Sequence, residues 1–268
     1  MRAIRRYDNA GTILSLFGHN PSPRVLRRLI GWLTRHGFTF VSTDELLEMR
    51  DGRRNWQART AWLTFDDGWC DFEKNLLPIL REYNVPATIF VPPHESERGC
   101  VWTNSVMRIV PNWRDWYVLS ADERYRRVEA ILQGDHASRS LADPDELRRL
   151  AQSGFVTLEN HTLTHLSCAR RPVDEVAQEV EKTQDILASW TGRRPKLLCY
   201  PFGHCSVAAD QKIKEMGLQP VRSIPGMMTL TTIGDFRNMF HDSMSCAENV
   251  GRVLQAWPKV NSEAIVTS

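Results

Sequence analysis

The sequence predicts an α/β protein in which strands and helices alternate, and its size, composition and hydrophobic periodicity support this prediction. The chain has 268 residues, of which 42% are hydrophobic and 25% are charged, the balance of a globular protein with a large core. Short β-branched apolar runs alternate with runs of helical spacing, which is typical of parallel βα units. Such units form either a barrel or an open doubly wound sheet.

The N-terminal part of the chain supplies the first of these units. Apolar residues between positions 22 and 37 recur at helical spacing, and Gly37 follows as a stop signal. Five further elements come next in chain order. They are a strand at Phe38–Val41, a helix capped by Ser42 or Thr43 that ends at Met49, a strand at Thr60–Phe65, and a helix at Leu76–Tyr83 that leads to a buried strand at Ala87–Val91.

The segment 94–144 interrupts this alternation. It contains Trp102, Trp113, Trp116 and Tyr117 together with several arginines, and it shows no clear strand. We interpret it as an insertion, either a lid or substrate-binding loop or a peripheral helical cap. The alternation then resumes with a helix at Glu146–Gln152, a strand at Phe155–Glu159, a helix at Val173–Trp190, a strand at Leu197–Tyr200 and a helix at Asp210–Met216. Because no repeat or linker is evident, residues 1–268 are predicted to form a single domain.

Charge and composition exclude several classes of function. The 34 Lys and Arg residues nearly balance the 32 Asp and Glu residues, and a net charge of +2 argues against nucleic acid or an anionic membrane as a partner. The apolar stretch 12–17 is too short for a secretory signal, and no run reaches the ~20 apolar residues of a membrane span. We therefore expect a cytoplasmic chain with reduced thiols. The oligomeric state stays open, since no coiled-coil heptad is present.

Two adjacent carboxylates, Asp66 and Asp67, follow the predicted strand at Thr60–Phe65, where Gly68 allows a turn. Because neighbouring carboxylates repel, burying both without a cation raises the pKa of at least one of them. A metal ion resolves this conflict, since one carboxylate can ligate it while the other takes a proton from the attacking water. The alternative is a solvated Asp-Asp-Gly turn that caps the next helix.

Two histidines, His161 and His165, follow the predicted strand at Phe155–Glu159. A separation of four residues places both imidazoles on one side of a helical turn, where they can share one metal ion. Parallel strands all end at one face, so the pair is expected beside Asp66 and Asp67.

One carboxylate and two histidines make three ligands with open positions left, which is the arrangement of a catalytic metal site. The sequence thus predicts a divalent metal ion, with Zn²⁺ first and Co²⁺, Ni²⁺, Fe²⁺ or Mn²⁺ also compatible. A third signal is the loop that begins at Tyr200, because Pro201 and Gly203 can aim the Tyr200 N–H at a developing oxyanion. The same loop can also be a plain turn.

Several ordered motifs together resemble the polysaccharide deacetylase family (NodB homology domain, carbohydrate esterase family 4). They are WLTRHGFTFVSTDEL near the N-terminus, TFDDG at Thr64–Gly68, the following LLPILREYNVPATIFV, HTLTH at His161–His165, and GRRPKLLCYPFG. The resemblance covers about residues 24–255 apart from the insertion, and it is strongest to the branch of poly-N-acetylglucosamine deacetylases. It implies a distorted (β/α) barrel and metal-dependent hydrolysis of a sugar N-acetyl group.

The resemblance also implies roles for individual residues. By that match Asp66 is the general base, Asp67, His161 and His165 are the metal ligands, and the Tyr200 N–H is an oxyanion donor.

The sequence departs from the family pattern in two places. Many members carry an arginine three residues before the tyrosine, where this chain has Leu197, and Arg237 in the segment DFRNMFHDS is its expected replacement. The family's general acid is often a histidine, and His241 is a partial match that can also be a polar residue at a strand end. Three further histidines are alternatives near the site: His19, His94 and His204.

The sequence thus predicts a metal-dependent N-deacetylase. Its expected partner is an N-acetylated sugar, either in a glycan of the cell envelope or in a nucleotide- or lipid-linked precursor, which a cytoplasmic location favours. Two alternatives stay open: a hydrolase of another amide or ester, such as a deformylase, and a non-catalytic carbohydrate-binding barrel, which the missing arginine suggests.

Overall fold

A single curled sheet forms the centre of the protein. The computed structural model describes residues 3–9, 11–133 and 139–255. In these residues nine strands pair in the order β7-β6-β5-β4-β3-β1-β8, with β2 added to β3 and β9 added to β1. The strands are β1 (Thr12–Gly18), β2 (Thr39–Phe40), β3 (Thr60–Asp66), β4 (Ala87–Val91), β5 (Val156–Asn160), β6 (Leu197–Cys199), β7 (Gln219–Val221), β8 (Met228–Thr229) and β9 (Asn238–Met239).

All strand pairs are parallel except β1 with β8. The carboxyl ends of the central strands therefore meet at one face of the barrel. The register places Asp66 opposite Phe90, and Asn160 opposite Leu198. Every residue that directly follows β1, β3, β5 or β6 consequently lies at this face.

Helices cover the outside of the sheet. They are α1 (Pro23–Arg35), α2 (Thr43–Arg50), α3 (Phe72–Asn75), α4 (Leu77–Tyr83), α5 (Pro93–Arg98), α6 (Trp102–Val106), α7 (Ala121–Leu132), α8 (Pro144–Gln152), α9 (Val173–Thr191), α10 (Val207–Glu215) and α11 (Cys246–Gln255). Short 3₁₀ helices lie at Ile4–Asp8, Trp113–Val118 and Pro201–Gly203. Ser42 and Glu45 form a capping box at α2, which confirms the predicted start of that helix.

Strand β3 is buried on both faces, and its alternation determines which side chains enter the barrel. Leu63 packs with the outer helices, whereas Trp62 packs inside the barrel with Phe90 and Cys199. Side chains two residues apart share a face of a strand. Asp66, four residues after Trp62, therefore belongs to the inner face at the upper end of the barrel.

The structure confirms the predicted fold class and most of the predicted elements. The strands β7, β8 and β9 and the helix α11 were not predicted, because they are short or lack a clear period. The insertion is helical, with α5, α6 and α7, and its residues 134–138 lie outside the described part. None of the described helices is both long and apolar enough to span a membrane.

Candidate active site

A cavity of about 360 Å³ lies at the carboxyl-end face of the sheet. It brings together five of the predicted site residues: Asp66, Asp67, His161, His165 and Tyr200. The insertion contributes part of its wall through Met107 and Trp113. The cavity therefore joins strand ends that are distant in sequence, as the parallel topology requires.

Asp67, His161 and His165 converge on one point. The Nε2 atoms of His161 and His165 lie 3.6 and 3.4 Å from Asp67 Oδ1. The potential ligand atoms of all three residues lie within 4.8 Å of one another, and the three side chains are buried. Three convergent ligand atoms of this kind match the donor set of a catalytic zinc site.

The chemistry of these atoms fits a bound cation. His161 Nδ1 lies 2.8 Å from the Cys199 carbonyl oxygen and must carry a proton to donate to it, so in the neutral ring Nε2 presents a lone pair. Asp67 Oδ1 is buried and accepts no hydrogen bond from the described residues. Lone pairs that face a carboxylate oxygen at this distance repel unless a cation or a proton lies between them.

A second group of potential ligands, Asp66, His161 and Cys199, also lies within 4.8 Å. It is the poorer candidate because both carboxylate oxygens of Asp66 already accept hydrogen bonds from Arg237. Asp67 is therefore the carboxylate that is free to ligate.

The loop that carries the two histidines is not the helical turn that the spacing suggested. Thr162 and His165 have positive φ angles of 60° and 49°, which reverse the chain instead of continuing a helix. Asn160 supports this shape, since its Oδ1 accepts a hydrogen bond from the Thr162 N–H at 2.9 Å. The two imidazoles still meet, with ring centroids 4.9 Å apart.

Buried charged residues hold the same loop from outside. Glu179 on α9 accepts hydrogen bonds from the N–H groups of Leu163 and Thr164. Arg124 on α7, which is fully buried, donates to the Thr164 carbonyl at 2.8 Å, and Trp102 donates to the His165 carbonyl at 3.2 Å. The insertion thus fixes the backbone of the histidine loop besides lining the cavity.

Asp66 lies beside these ligands in a separate ion pair. Arg237 donates to Asp66 Oδ1 at 2.7 Å and to Oδ2 at 2.9 Å, so the pair is bidentate. Arg237 is fully buried and also donates to Thr64, Ser223 and Cys199. The guanidinium therefore fixes the orientation of the Asp66 carboxylate.

The two carboxylates differ in their electrostatics. Burial raises the pKa of Asp66, but the charge and hydrogen bonds of Arg237 outweigh burial and lower it to about 2. Burial raises the pKa of Asp67, and its interactions with His19 and His161 only partly oppose this effect. Burial also lowers the pKa of His165, which keeps its ring neutral and able to ligate.

The geometry does not support two of the predicted roles. The Tyr200 N–H donates to the Val221 carbonyl at 3.1 Å, so it has no hydrogen left for an oxyanion. Its hydroxyl donates to Asp210, away from the ligand atoms. His241 is exposed, its ring is hydrogen-bonded to Ser243, and it is not among the residues that line the cavity.

Among the alternative histidines, only His19 lines the cavity, at the end of β1. His94 lies over the Tyr125 ring, and His204 lines a neighbouring cavity. His19 directly follows β1, whose Gly18 pairs with Phe65 of β3, so it lies at the same face as Asp66.

A parallel barrel with two carboxylates and two histidines at its strand ends has the arrangement of a metal-assisted hydrolase. The comparisons identify the family within this class. A family model described as polysaccharide deacetylase matches residues 53–221, more than half of the chain. The chain belongs to the polysaccharide deacetylase family.

Relatives and solved structures agree with this assignment. The poly-β-1,6-N-acetyl-D-glucosamine N-deacetylase of Escherichia coli K12 is 26% identical over 138 residues, 52% of this chain and 17% of that protein. The enzyme of the same name from Staphylococcus epidermidis is 21% identical over 80% of this chain and 65% of its own length. The chain therefore spans less than two thirds of either relative.

Two solved structures show the same fold. The deacetylase PplD of Streptococcus pyogenes, solved in complex with acetate, superposes with a TM-score of 0.70 at 17% identity and covers 92% of this chain and 100% of that one. IcaB from Ammonifex degensii superposes with a TM-score of 0.67 at 16% identity. The superposition covers 92% of this chain and 99% of IcaB.

Proposed function

We propose that the protein removes an N-acetyl group from an amino sugar of a glycan and releases acetate, in a reaction that depends on a divalent metal ion. The observation that carries this proposal is the position of a three-ligand set, Asp67, His161 and His165, directly beside the ion-paired carboxylate of Asp66. Family membership and the N-deacetylase names of the two relatives support the N-acetyl sugar as the substrate.

Each residue has a distinct task in this reaction. Asp67, His161 and His165 would hold a divalent cation, which when bound would supply Lewis-acid polarisation of the acetamide carbonyl and raise the acidity of water. Asp66 accepts the proton of the attacking water. Because Arg237 keeps Asp66 ionised but weakly basic, this transfer needs a water whose acidity has been raised.

A proton donor must also serve the leaving amine, and we assign this role to His19. It is the one histidine outside the ligand set among the residues that line the described cavity. Its position at the end of β1 places it at the face where Asp66 and Asp67 lie. His241 lies outside that lining, although the family pattern favours it.

We expect His19→Ala to lower kcat by roughly 100-fold, since general acid catalysis contributes about 10²–10⁴-fold. The variant His241→Ala is the matched control and should stay within about two-fold of wild type. Steady-state acetate release at equal metal content measures both. If His241→Ala lowered kcat more than His19→Ala, the role of general acid would belong to His241.

His161→Ala should weaken metal binding by at least about 100-fold, because it removes one of three protein ligands. Titration of the apo protein with Zn²⁺ or Co²⁺ by calorimetry measures the affinity without reference to turnover. His204→Ala, which removes a histidine outside the ligand set, should leave it unchanged. Equal affinities in both variants would remove His161 from the ligand set.

The function itself is tested by acetate release from a defined panel. The panel contains N-acetylated β-1,6-glucosamine oligomers, other N-acetylated oligosaccharides, and nucleotide- and lipid-linked N-acetyl sugars, with an N-formyl analogue of each active compound. The protein is freed of metal and reloaded with Zn²⁺, Co²⁺, Ni²⁺, Fe²⁺ or Mn²⁺. Metal-dependent acetate release is expected. Metal binding without release from any compound, or preferred release of formate, would contradict the proposal.

A further inference from the structure

We propose that a second cavity beside the active site binds an anionic group of the substrate, either a carboxylate or a phosphate attached near the N-acetylated sugar. This inference rests on the proposed function, since it names the class of substrate for the same site. The second cavity has a volume of about 580 Å³ and is lined by Arg114, Asp115, Tyr117, Val118, Arg170 and His204.

The two cavities share a wall of aromatic side chains. Trp113 lines the active-site cavity, and the next residue, Arg114, lines the second cavity. Phe202 lines the active-site cavity with its ring centroid 4.7 Å from that of His165, and Tyr117 of the second cavity packs against Phe202 at 4.4 Å. Two ring contacts thus separate a predicted metal ligand from the second cavity, so a substrate longer than one sugar can occupy both.

Positive charge without a partner distinguishes the second cavity. In the described part of the chain, neither Arg114 nor Arg170 forms an ion pair with a carboxylate, whereas the neighbouring Arg171 pairs with Glu175. Asp115 is the single carboxylate among the residues that line the cavity, so two guanidinium groups exceed its charge. Guanidinium groups match the geometry of carboxylate and phosphate oxygens and bind both in bidentate fashion.

The side chains of Arg114 and Arg170 are exposed, so a dissolved ligand can reach both guanidinium groups. The Arg114 guanidinium lies 4.6 Å from the centroid of the Trp113 ring, and its positive charge acts on the Tyr117 hydroxyl. Two accessible guanidinium groups beside the aromatic wall of the active-site cavity suit a saccharide that carries a negative charge.

Binding of three probes tests the proposal on the metal-loaded chain with Asp66→Asn, which prevents turnover. The probes are a neutral tetramer of N-acetylglucosamine, a tetrasaccharide that alternates N-acetylglucosamine with glucuronate, and UDP-N-acetylglucosamine. We expect at least one anionic probe to bind about 10-fold more tightly than the neutral one, because hydrogen bonds to charged groups are strong. The glucuronate and UDP arms distinguish a carboxylate from a phosphate.

Removal of the two arginines provides the decisive comparison. Adding Arg114→Gln and Arg170→Gln together should abolish the 10-fold preference and leave the Kd of the neutral probe within about two-fold. The pair Arg28→Gln and Arg35→Gln removes the same charge from exposed positions on α1 and should keep the preference. Equal Kd values for charged and neutral probes, a preference that survives loss of both arginines, or no binding of any probe would overturn the inference.

The inference and the proposed function can fail separately. Arginine-dependent binding of an anionic probe, with no acetate released from any compound by the chain with Asp66 intact, would retain the anion site and reject deacetylation. Metal-dependent acetate release with the same KM for charged and neutral substrates would retain deacetylation and reject the anion site.

Discussion

Asp66→Asn should lower kcat for acetate release by about 10³-fold and leave the metal affinity within about three-fold of wild type. Asparagine keeps the shape of the side chain and one acceptor for Arg237, but it cannot take a proton from water. Asp67, His161 and His165 are unchanged, so the ligand set stays complete. Turnover under saturating substrate and calorimetric metal titration provide the two measurements.

Two controls make this result specific. Asp122→Asn removes an exposed carboxylate on α7 and should retain wild-type turnover. Asp67→Asn should reduce metal affinity as well as turnover, because it alters a ligand and not the base. If Asp66→Asn lost metal and turnover together while Asp67→Asn kept its metal, the roles of the two carboxylates would have to be exchanged.

The central βα units were predictable because their signals are local. Strand β4 matches its prediction, Ala87–Val91, residue for residue, and α2 begins at the predicted cap. The candidate ligands were also predictable, because parallel strands end at one face. The position of Asp67 and His161 directly after a strand was enough to predict them as candidate ligands. Their convergence follows from the register of β3, β4 and β5.

The contacts that position these residues could not be predicted, because they depend on tertiary packing. The positive φ angles at Thr162 and His165 replace the expected helical turn. Glu179, on a helix that lies later in the chain, accepts a hydrogen bond from the Thr164 N–H of this loop. The direction of the Tyr200 amide depends on pairing with Val221 across β6 and β7. A loop shape that is determined by distant hydrogen bonds leaves no periodic signal in the sequence.

Arg237→Met should reduce the free energy of unfolding by about 3–5 kcal/mol, because it leaves the Asp66 carboxylate buried without a cation. Arg237 is fully buried, and its guanidinium donates a hydrogen bond to each oxygen of that carboxylate. Methionine fills much of the same space, so the expected loss is mainly electrostatic. Urea unfolding with a chelator present measures it without a contribution from metal binding. Arg28→Met on the exposed face of α1 is the matched control and should change stability by less than about 0.5 kcal/mol.

The double variant Asp66→Asn with Arg237→Met separates a buried charge from lost packing. Because no lone charge remains in it, the double variant should be more stable than Arg237→Met alone. Together with Asp66→Asn alone, these variants form a double-mutant cycle, which should give a coupling energy of about 1–3 kcal/mol between Asp66 and Arg237. Arg237→Lys should keep part of the stability but lower kcat, since a single ammonium group cannot hold both carboxylate oxygens. Additive effects of the two substitutions would show that Asp66 and Arg237 are not coupled. Arg237 would then stabilise the barrel through its contacts with Thr64 and Ser223 instead of orienting the base.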